Sequence, residues 1–345
     1  MNKVRMALVG TSHPHSALYQ ELLANMEAVE VAAICHDGGT VIERFARVPV
    51  YESVEELLAA ARFDAALVTV LNNRAVAAIL PLVAAGKHVL ADKPVCRSAG
   101  EMRAIVDAVE RYGVTFAVGY QNRFQPAHER ARLLARSGQL GPIFAVQGHL
   151  FTTDVRSRGA NHDLFRRAVS GGGILHWLGC HVLDLMLDLV ESEPVAVCGQ
   201  ISTLSGTGID VEDVGGLTVR FANGVIGTLL AGYTIPFETD SPYATSPKES
   251  ALTVWAGRGH LTYEPLGSRY WETWYGVRDD VLGRSFNEYQ LPPFPGYTGW
   301  LGKRLVEDFL AAIAEGRPPR AGARENLKVL EILDAVYRVR EEGAC

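Results

Sequence analysis

Over residues 1–120, short apolar runs alternate with stretches of helical spacing. Val4–Val9, Val29–Cys35, Asp64–Val70, His88–Ala91 and Val114–Val118 read as strands, each a short apolar run bounded by polar or turn-forming positions. Ser16–Met26, Val54–Ala61, Arg74–Ala85 and Ala99–Tyr112 read as helices. The last of these stops at Gly113, a residue suited to the position just past a helix end. Strands alternating with helices predict a parallel sheet covered on both faces. Right-handed crossovers make that sheet doubly wound, an arrangement of the α/β class.

After Tyr120 the pattern changes. Pro126–Ser137 reads as a helix, and Pro142–Phe151 alternates like an edge or half-buried strand. Gly171–Gly173 opens a helix that runs through Leu189. Four strands follow at Pro194–Ser202, Gly215–Phe221, Val225–Tyr233 and Ala251–Ala256. Asn223-Gly224 between two apolar runs is a hairpin signal, so this sheet is expected to be open and mostly antiparallel. Ser241–Glu249 is polar and contains proline, which predicts a surface loop. Leu291–Gly299 holds three prolines and two glycines, and helices at Leu301–Glu315 and Arg324–Glu342 close the chain. The expected division is a doubly wound domain over 1–120 and an α+β domain over 121–345. Its last helices are expected to pack back on the first domain.

The length of 345 residues corresponds to about two domains. Apolar residues make up 48% and charged residues 21%, which excludes a largely disordered chain. A formal charge of −6, from 33 basic and 39 acidic side chains, disfavours nucleic acid as a partner. No apolar run approaches the roughly 20 residues of a membrane span. Met1–Gly10 lacks the length and cleavage site of a signal peptide, so a soluble cytoplasmic protein is expected. Five cysteines without a C-x-x-C pair predict neither a disulfide framework nor a structural zinc site, and no metal is expected.

The first candidate chemistry lies after strand one, in Gly10-Thr11-Ser12-His13-Pro14-His15. A dinucleotide turn asks for G-x-G-x-x-G, and only the first glycine is present, with Ser12 and His15 in the other two places. Ser12 can still offer its N–H and hydroxyl to phosphate at a helix N-terminus. The alternative is a plain strand–turn–helix. About 25 residues beyond Gly10 stand His36 and Asp37, candidates for the ribose hydroxyls, or simply a loop before Gly38-Gly39. Lys93 follows the strand His88–Ala91 and precedes Pro94, which pushes it toward extended geometry. An amine there can hydrogen-bond a hydroxyl and ease its proton loss, or it is a solvated surface lysine. In Gly171–Asp184, His181 shares a helical face with Asp184 and with Trp177. His176 and His181, five apart, do not suit two metal ligands on one face, and Cys180 points about 100° away from His181.

Together these motifs resemble the Gfo/Idh/MocA family of NAD(P)-dependent oxidoreductases. Ala7–Ser12 resembles its nucleotide turn, and Asp64–Lys93 its run ending in Gly-Lys-His-Val-x-x-Glu-Lys-Pro, with Asp92 in place of the glutamate. Gly119–Pro126 resembles its interdomain segment, Gly171–Asp184 its Gly-Gly-Gly-x-Leu-x-Asp-x-Gly-x-His-x-x-Asp run, and Val306–Pro319 its ending. The resemblance implies hydride transfer between nicotinamide and the carbinol carbon of a sugar, cyclitol or related polyol. NAD is favoured slightly over NADP. It implies cofactor contacts at Gly10, Thr11, Ser12, His13, His36, Asp37, Thr69, Leu71, Asn72 and Lys93. Lys93 matches the family lysine that orients and deprotonates the substrate hydroxyl, and His181 the family acid/base.

Three departures stand out. Trp177 replaces the family aspartate, Ser12 the second glycine, and Val70 and Arg74 the proline and histidine of the family run beginning at Thr69. Tyr120, Asn122, Arg123, Asp154, His162, Trp177 and His181 are the expected substrate contacts, and the arginines of 151–167 are expected near the substrate mouth or in a solvated loop. A redox-neutral lyase or hydrolase using NAD, and a non-enzymatic regulator of the same fold, are the alternatives. Leu217–Phe221 and Val225–Leu230 alternate with few charges, which predicts a homodimer or homotetramer through the C-terminal sheet.

Overall fold

The computed structural model describes residues 3–235, 248–275 and 283–342, with side chains to residue 338. The chain divides into two compact units, Met1–Gln121 with Leu291–Leu327, and Asn122–Gln290 with Lys328–Cys345.

The first unit begins with β1 (Val4–Val9), α1 (Ser16–Ala24), β2 (Val29–Cys35), β3 (Val50–Tyr51) and α2 (Val54–Ala60). It continues through β4 (Ala65–Val68), α3 (Ala75–Ala84), β5 (His88–Ala91), α4 (Ala99–Tyr112) and β6 (Phe116–Val118). The strands pair in parallel, in the order β3-β2-β1-β4-β5-β6. All of β4 and the last four residues of β1 are buried, as the continuous apolar runs require of strands covered on both faces. Chain order reverses between β1 and β4, which opens a crevice outside their carboxyl ends. Helix boundaries follow local chemistry. The Ser98 hydroxyl accepts the Glu101 N–H at 3.3 Å to start α4, and Gly113 at φ +65° ends it.

The second unit carries α5 (Pro126–Arg136), β7 (Ile143–Thr153), α6 (Arg167–Ser170) and α7 (Cys180–Val190). β8 (Pro194–Ser202), β9 (Val214–Phe221), β10 (Ile226–Ile235) and β11 (Lys248–Ala256) come next, then β12 (Gly259–Tyr263), β13 (Arg269–Trp274) and β14 (Gly283–Glu288). These eight strands form one sheet, β14-β13-β12-β11-β7-β10-β9-β8, antiparallel throughout except between β7 and β10. The expected hairpin is present: Gly224 adopts φ +89° and the Phe221 N–H donates to the Val225 carbonyl at 2.9 Å. The chain ends with α8 (Trp300–Glu315) and α9 (Ala323–Glu342).

Several expectations need correction. Of the two readings of β7, the half-buried one holds and the edge one does not, because β11 and β10 flank it on both sides; alternation reports a buried face, not the number of neighbours. Most of the expected loop 241–249 lies outside the described residues, but Lys248 and Glu249 begin β11. β12, β13 and β14 carry charged and polar residues through short runs and left no apolar signature. Arg167–Val190 does reach the length and apolarity of a membrane span, yet 89% of its most apolar stretch is buried, as befits a core helical segment. Cys35, Cys96 and Cys180 are buried free thiols, whereas Cys198 is disulfide-bonded, although no disulfide framework was expected.

Candidate active site

In the first unit the site is built on the turn between β1 and α1. Gly10 adopts φ +94°, and a Cβ there would stand 2.4 Å from the Thr69 carbonyl oxygen, so only glycine fits. The Gly10 carbonyl accepts the hydroxyls of Thr69 at 2.8 Å and Ser16 at 2.9 Å. Asp37, at the end of β2, holds the turn from the other side. Its Oδ1 accepts the Thr11 N–H at 2.6 Å, the Thr11 hydroxyl at 3.0 Å and the Ser12 N–H at 2.8 Å, and its Oδ2 accepts the Ser12 hydroxyl at 2.7 Å. Burial acts to raise the Asp37 pKa, but these bonds together hold it below its ordinary value. The Arg74 guanidinium stands 3.6 Å from Oδ2. His36 is turned onto its own loop, with its Nε2 3.0 Å from the Gly39 carbonyl. Leu71 is half-buried, and Asn72 donates to the Pro94 carbonyl at 2.6 Å, tying the run after β4 to the residues after β5.

Lys93 is 2% exposed just past the carboxyl end of β5, and its peptide bond to Pro94 is cis. The preceding residue, Asp92, is the centre of a cluster the sequence did not announce. His15 Nδ1 lies 2.8 Å from Asp92 Oδ2, His13 Nδ1 lies 3.6 Å from the same oxygen, and the Tyr19 hydroxyl donates to Oδ1 at 3.0 Å. Burial lowers the His13 pKa to about 4. Burial would raise that of Asp92, but His15, His13 and Lys93 together hold it well below the usual carboxylate range.

In the second unit the three glycines form a constrained entry to the helix that carries His181. Gly171 has φ +89°. A Cβ on Gly172 would meet the Tyr337 hydroxyl at 2.1 Å, and one on Gly173 would lie 1.8 Å from the Glu212 carbonyl oxygen. The Glu212 carboxylate accepts the N–H groups of Gly173 at 2.8 Å and Leu175 at 3.1 Å and the Tyr337 hydroxyl at 3.0 Å. Burial raises the Glu212 pKa even so. Leu175–Gly179 is a π-helical turn, a form common at functional sites, and it delivers the chain into α7 at Cys180 and His181. Trp177 is 4% exposed and His181 also 4%.

Other expected substrate contacts are engaged elsewhere. Arg123, 3% exposed, forms a bidentate pair with Asp184, its Nε 2.9 Å from Oδ2 and its Nη2 2.7 Å from Oδ1, and a further bond to Asp188. Asp154 accepts the Arg156 N–H at 2.6 Å, and His162 Nδ1 accepts the Leu164 N–H at 3.2 Å. Both therefore close their own turns. Arg156 and Arg166 pair locally with Asp154 and Asp163. Tyr120 donates to Asn326 within the first unit at 2.8 Å. Asn122 is different: its buried Nδ2 has no hydrogen-bond partner among the described residues, and neither has the buried Tyr233 hydroxyl. Such orphaned donors are expected where a polar ligand completes the set. Sequence reasoning missed Tyr233 and Glu212, because nothing in their own neighbourhoods distinguishes them from ordinary strand and loop residues.

Residues 4–120 match the oxidoreductase family with an NAD-binding Rossmann fold, and residues 128–261 match the GFO/IDH/MocA C-terminal domain. The chain is 26% identical over 294 residues to the NADP-dependent D-xylose 1-dehydrogenase 2 of Haloferax volcanii, covering 85% of this chain and 83% of that protein. It is 30% identical over 220 residues to the 1,5-anhydro-D-fructose reductase of Ensifer adhaerens, covering 63% of each. The structure of levoglucosan dehydrogenase in complex with NADH and L-sorbose shares the fold, with a TM-score of 0.85 over 100% of this chain and 98% of that one, at 19% identity.

Proposed function

The chain belongs to the Gfo/Idh/MocA family of NAD(P)-dependent oxidoreductases, and on that premise we propose that it moves a hydride between nicotinamide and a carbinol carbon of a sugar, cyclitol or related polyol. The observation that carries this reading is Lys93. A lysine 2% exposed at the carboxyl end of a parallel strand is costly to bury without a task, and that end of the sheet is where ligands bind. The turn at Gly10 and the carboxylate at the end of β2 fit a dinucleotide, whose bound nicotinamide supplies the hydride chemistry.

The chain's own residues then have separate tasks. The Gly10–His13 turn leads into the N-terminus of α1, which meets the pyrophosphate once Asp37 yields the Thr11 and Ser12 donors it holds, a correction to the expectation that Ser12 stands ready for phosphate. Asp37, kept ionised, repels a 2′-phosphate and favours NAD over NADP. Lys93 hydrogen-bonds the substrate hydroxyl and eases its proton loss, and His181 takes or returns a proton. Trp177 offers an apolar ring face where the family has a carboxylate, and Asn122 Nδ2 offers a hydrogen-bond donor to a hydroxyl.

The test is a pair of variants, Lys93→Ala and His181→Asn, assayed against a polyol and sugar panel while NADH and NADPH are titrated by energy transfer from tryptophan. Turnover is expected to fall at least about a hundredfold in each while NADH still binds. Full activity in either variant would overturn that residue's role, and no binding of either nucleotide by the wild type would overturn the reading as a whole. The same reading puts the outward-facing Ile226 and Leu230, 36% and 47% exposed, in a subunit contact; light scattering at the monomer mass would contradict that.

A further inference from the structure

The proposed hydride chemistry gives the imidazoles of His13 and His15 no task, yet both rings converge on one carboxylate. We propose that His13, His15 and Asp92 form a binding site for a divalent transition-metal ion of the zinc class, at the carboxyl ends of β1 and β5. This goes beyond the dehydrogenase reading and does not depend on it.

The geometry is close to what such an ion needs. One donor atom from each of the three residues lies within 4.8 Å of the other two. Donors at about 2.0–2.1 Å around a tetrahedral ion stand about 3.3 Å apart. The His13 to Asp92 separation of 3.6 Å is already near that value. The His15 to Asp92 separation of 2.8 Å has to open by about half an ångström as an ion replaces the bridging proton. His13 Nδ1 also accepts a long bond from the His15 N–H, 3.2 Å, which an ion replaces as well.

The surroundings hold the ligands in place. The Tyr19 hydroxyl bonds Asp92 Oδ1 and leaves Oδ2 aimed at the two rings, the second-layer arrangement that orients a ligating carboxylate. The Tyr297 ring packs on both, with centroids 4.1 Å from Tyr19 and 4.7 Å from His15. His13 and Asp92 are buried, whereas the His15 side chain is 21% exposed and supplies the entry path. Two imidazoles and one carboxylate select zinc, cobalt or iron over magnesium or calcium, which favour oxygen donors throughout. Three protein ligands leave a fourth position open, as in catalytic zinc sites rather than closed structural ones.

The experiment titrates chelator-treated full-length protein with Co²⁺ and follows its visible ligand-field absorption, then displaces it with Zn²⁺. The wild type is expected to take up one equivalent. His15→Gln, which removes a ligand, is expected to lose that signal. Tyr19→Phe, which removes only the hydroxyl on Asp92, is expected to weaken uptake about tenfold and serves if the first variant does not fold. Thermal denaturation of each metal-free variant checks its fold. No stoichiometric uptake by the wild type, or uptake unchanged in the folded variants, would overturn the site.

Discussion

Glu212 and Gly173 fix each other. The Glu212 carboxylate accepts the Gly173 N–H at 2.8 Å, and the Glu212 carbonyl oxygen lies 1.8 Å from where a Cβ on Gly173 would be. A loop before β9 thereby sets the start of the helical segment that carries Trp177 and His181. Gly173→Ala is expected to cost about 3 kcal/mol or more, because the obstacle is backbone. Gly172→Ala is expected to cost less, about 2 kcal/mol, because its obstacles are side chains, the Tyr337 hydroxyl at 2.1 Å and ring at 2.6 Å and the His176 Cβ at 2.9 Å, and Tyr337→Phe should recover part of the loss by removing the hydroxyl. Urea denaturation of the three variants checks the order.

Gly10 is under two constraints at once. Its φ of +94° disfavours any side chain, and the Thr69 carbonyl leaves no room for one. Gly10→Ala is expected to lower stability by about 2 kcal/mol and to abolish NADH binding, since the turn that presents the α1 N-terminus must move. Calorimetry alongside nucleotide titration separates the two effects.

Asp37 has a structural and a selective role. It accepts four hydrogen bonds from Thr11 and Ser12, and it stands near Arg74. Asp37→Ser is expected to weaken NADH and to shift the NADH-to-NADPH affinity ratio about tenfold toward NADPH, with Arg74 released to meet a phosphate. An unchanged ratio with lowered stability would leave only the structural role.

Asp188, together with Asp92, contributes to the acid limb of stability. It accepts bonds from His128 at 2.8 Å and Arg123 at 3.3 Å, and Arg132 lies 3.3 Å away. Burial pushes its pKa up, but these three partners outweigh burial and hold it well below the ordinary 3.8. A folded pKa below the unfolded one contributes stability that is complete above the unfolded value and is lost as pH falls beneath it. The unfolding free energy of the wild type is therefore expected to drop below about pH 4. Asp188→Asn should flatten that drop while costing about 3 kcal/mol at pH 7, as measured by denaturation at several pH values.

The sequence by itself determined the class of the first unit, because continuous apolar runs separated by helical periods admit few arrangements other than a covered parallel sheet. It also determined the Asn223-Gly224 hairpin, the end of α4 at Gly113 and the family, since each depends on neighbouring residues or on motifs in order. Tertiary structure alone decided the rest. Alternation in β7 could not say that two strands flank it, and β12 to β14 were silent because cross-strand aromatic and polar pairs, not apolar runs, hold them. Arg123 reads along the chain as a substrate contact, but Asp184, 61 residues away, accepts from two of its nitrogens and Asp188 from the third. His13, His15 and Asp92 meet across 77 residues, and Gly173 is explained by Glu212, 39 residues on. Local propensity acts over a few residues, whereas buried charges and polar groups must find partners wherever the fold brings them, so the chemistry of the site was the part least visible along the chain.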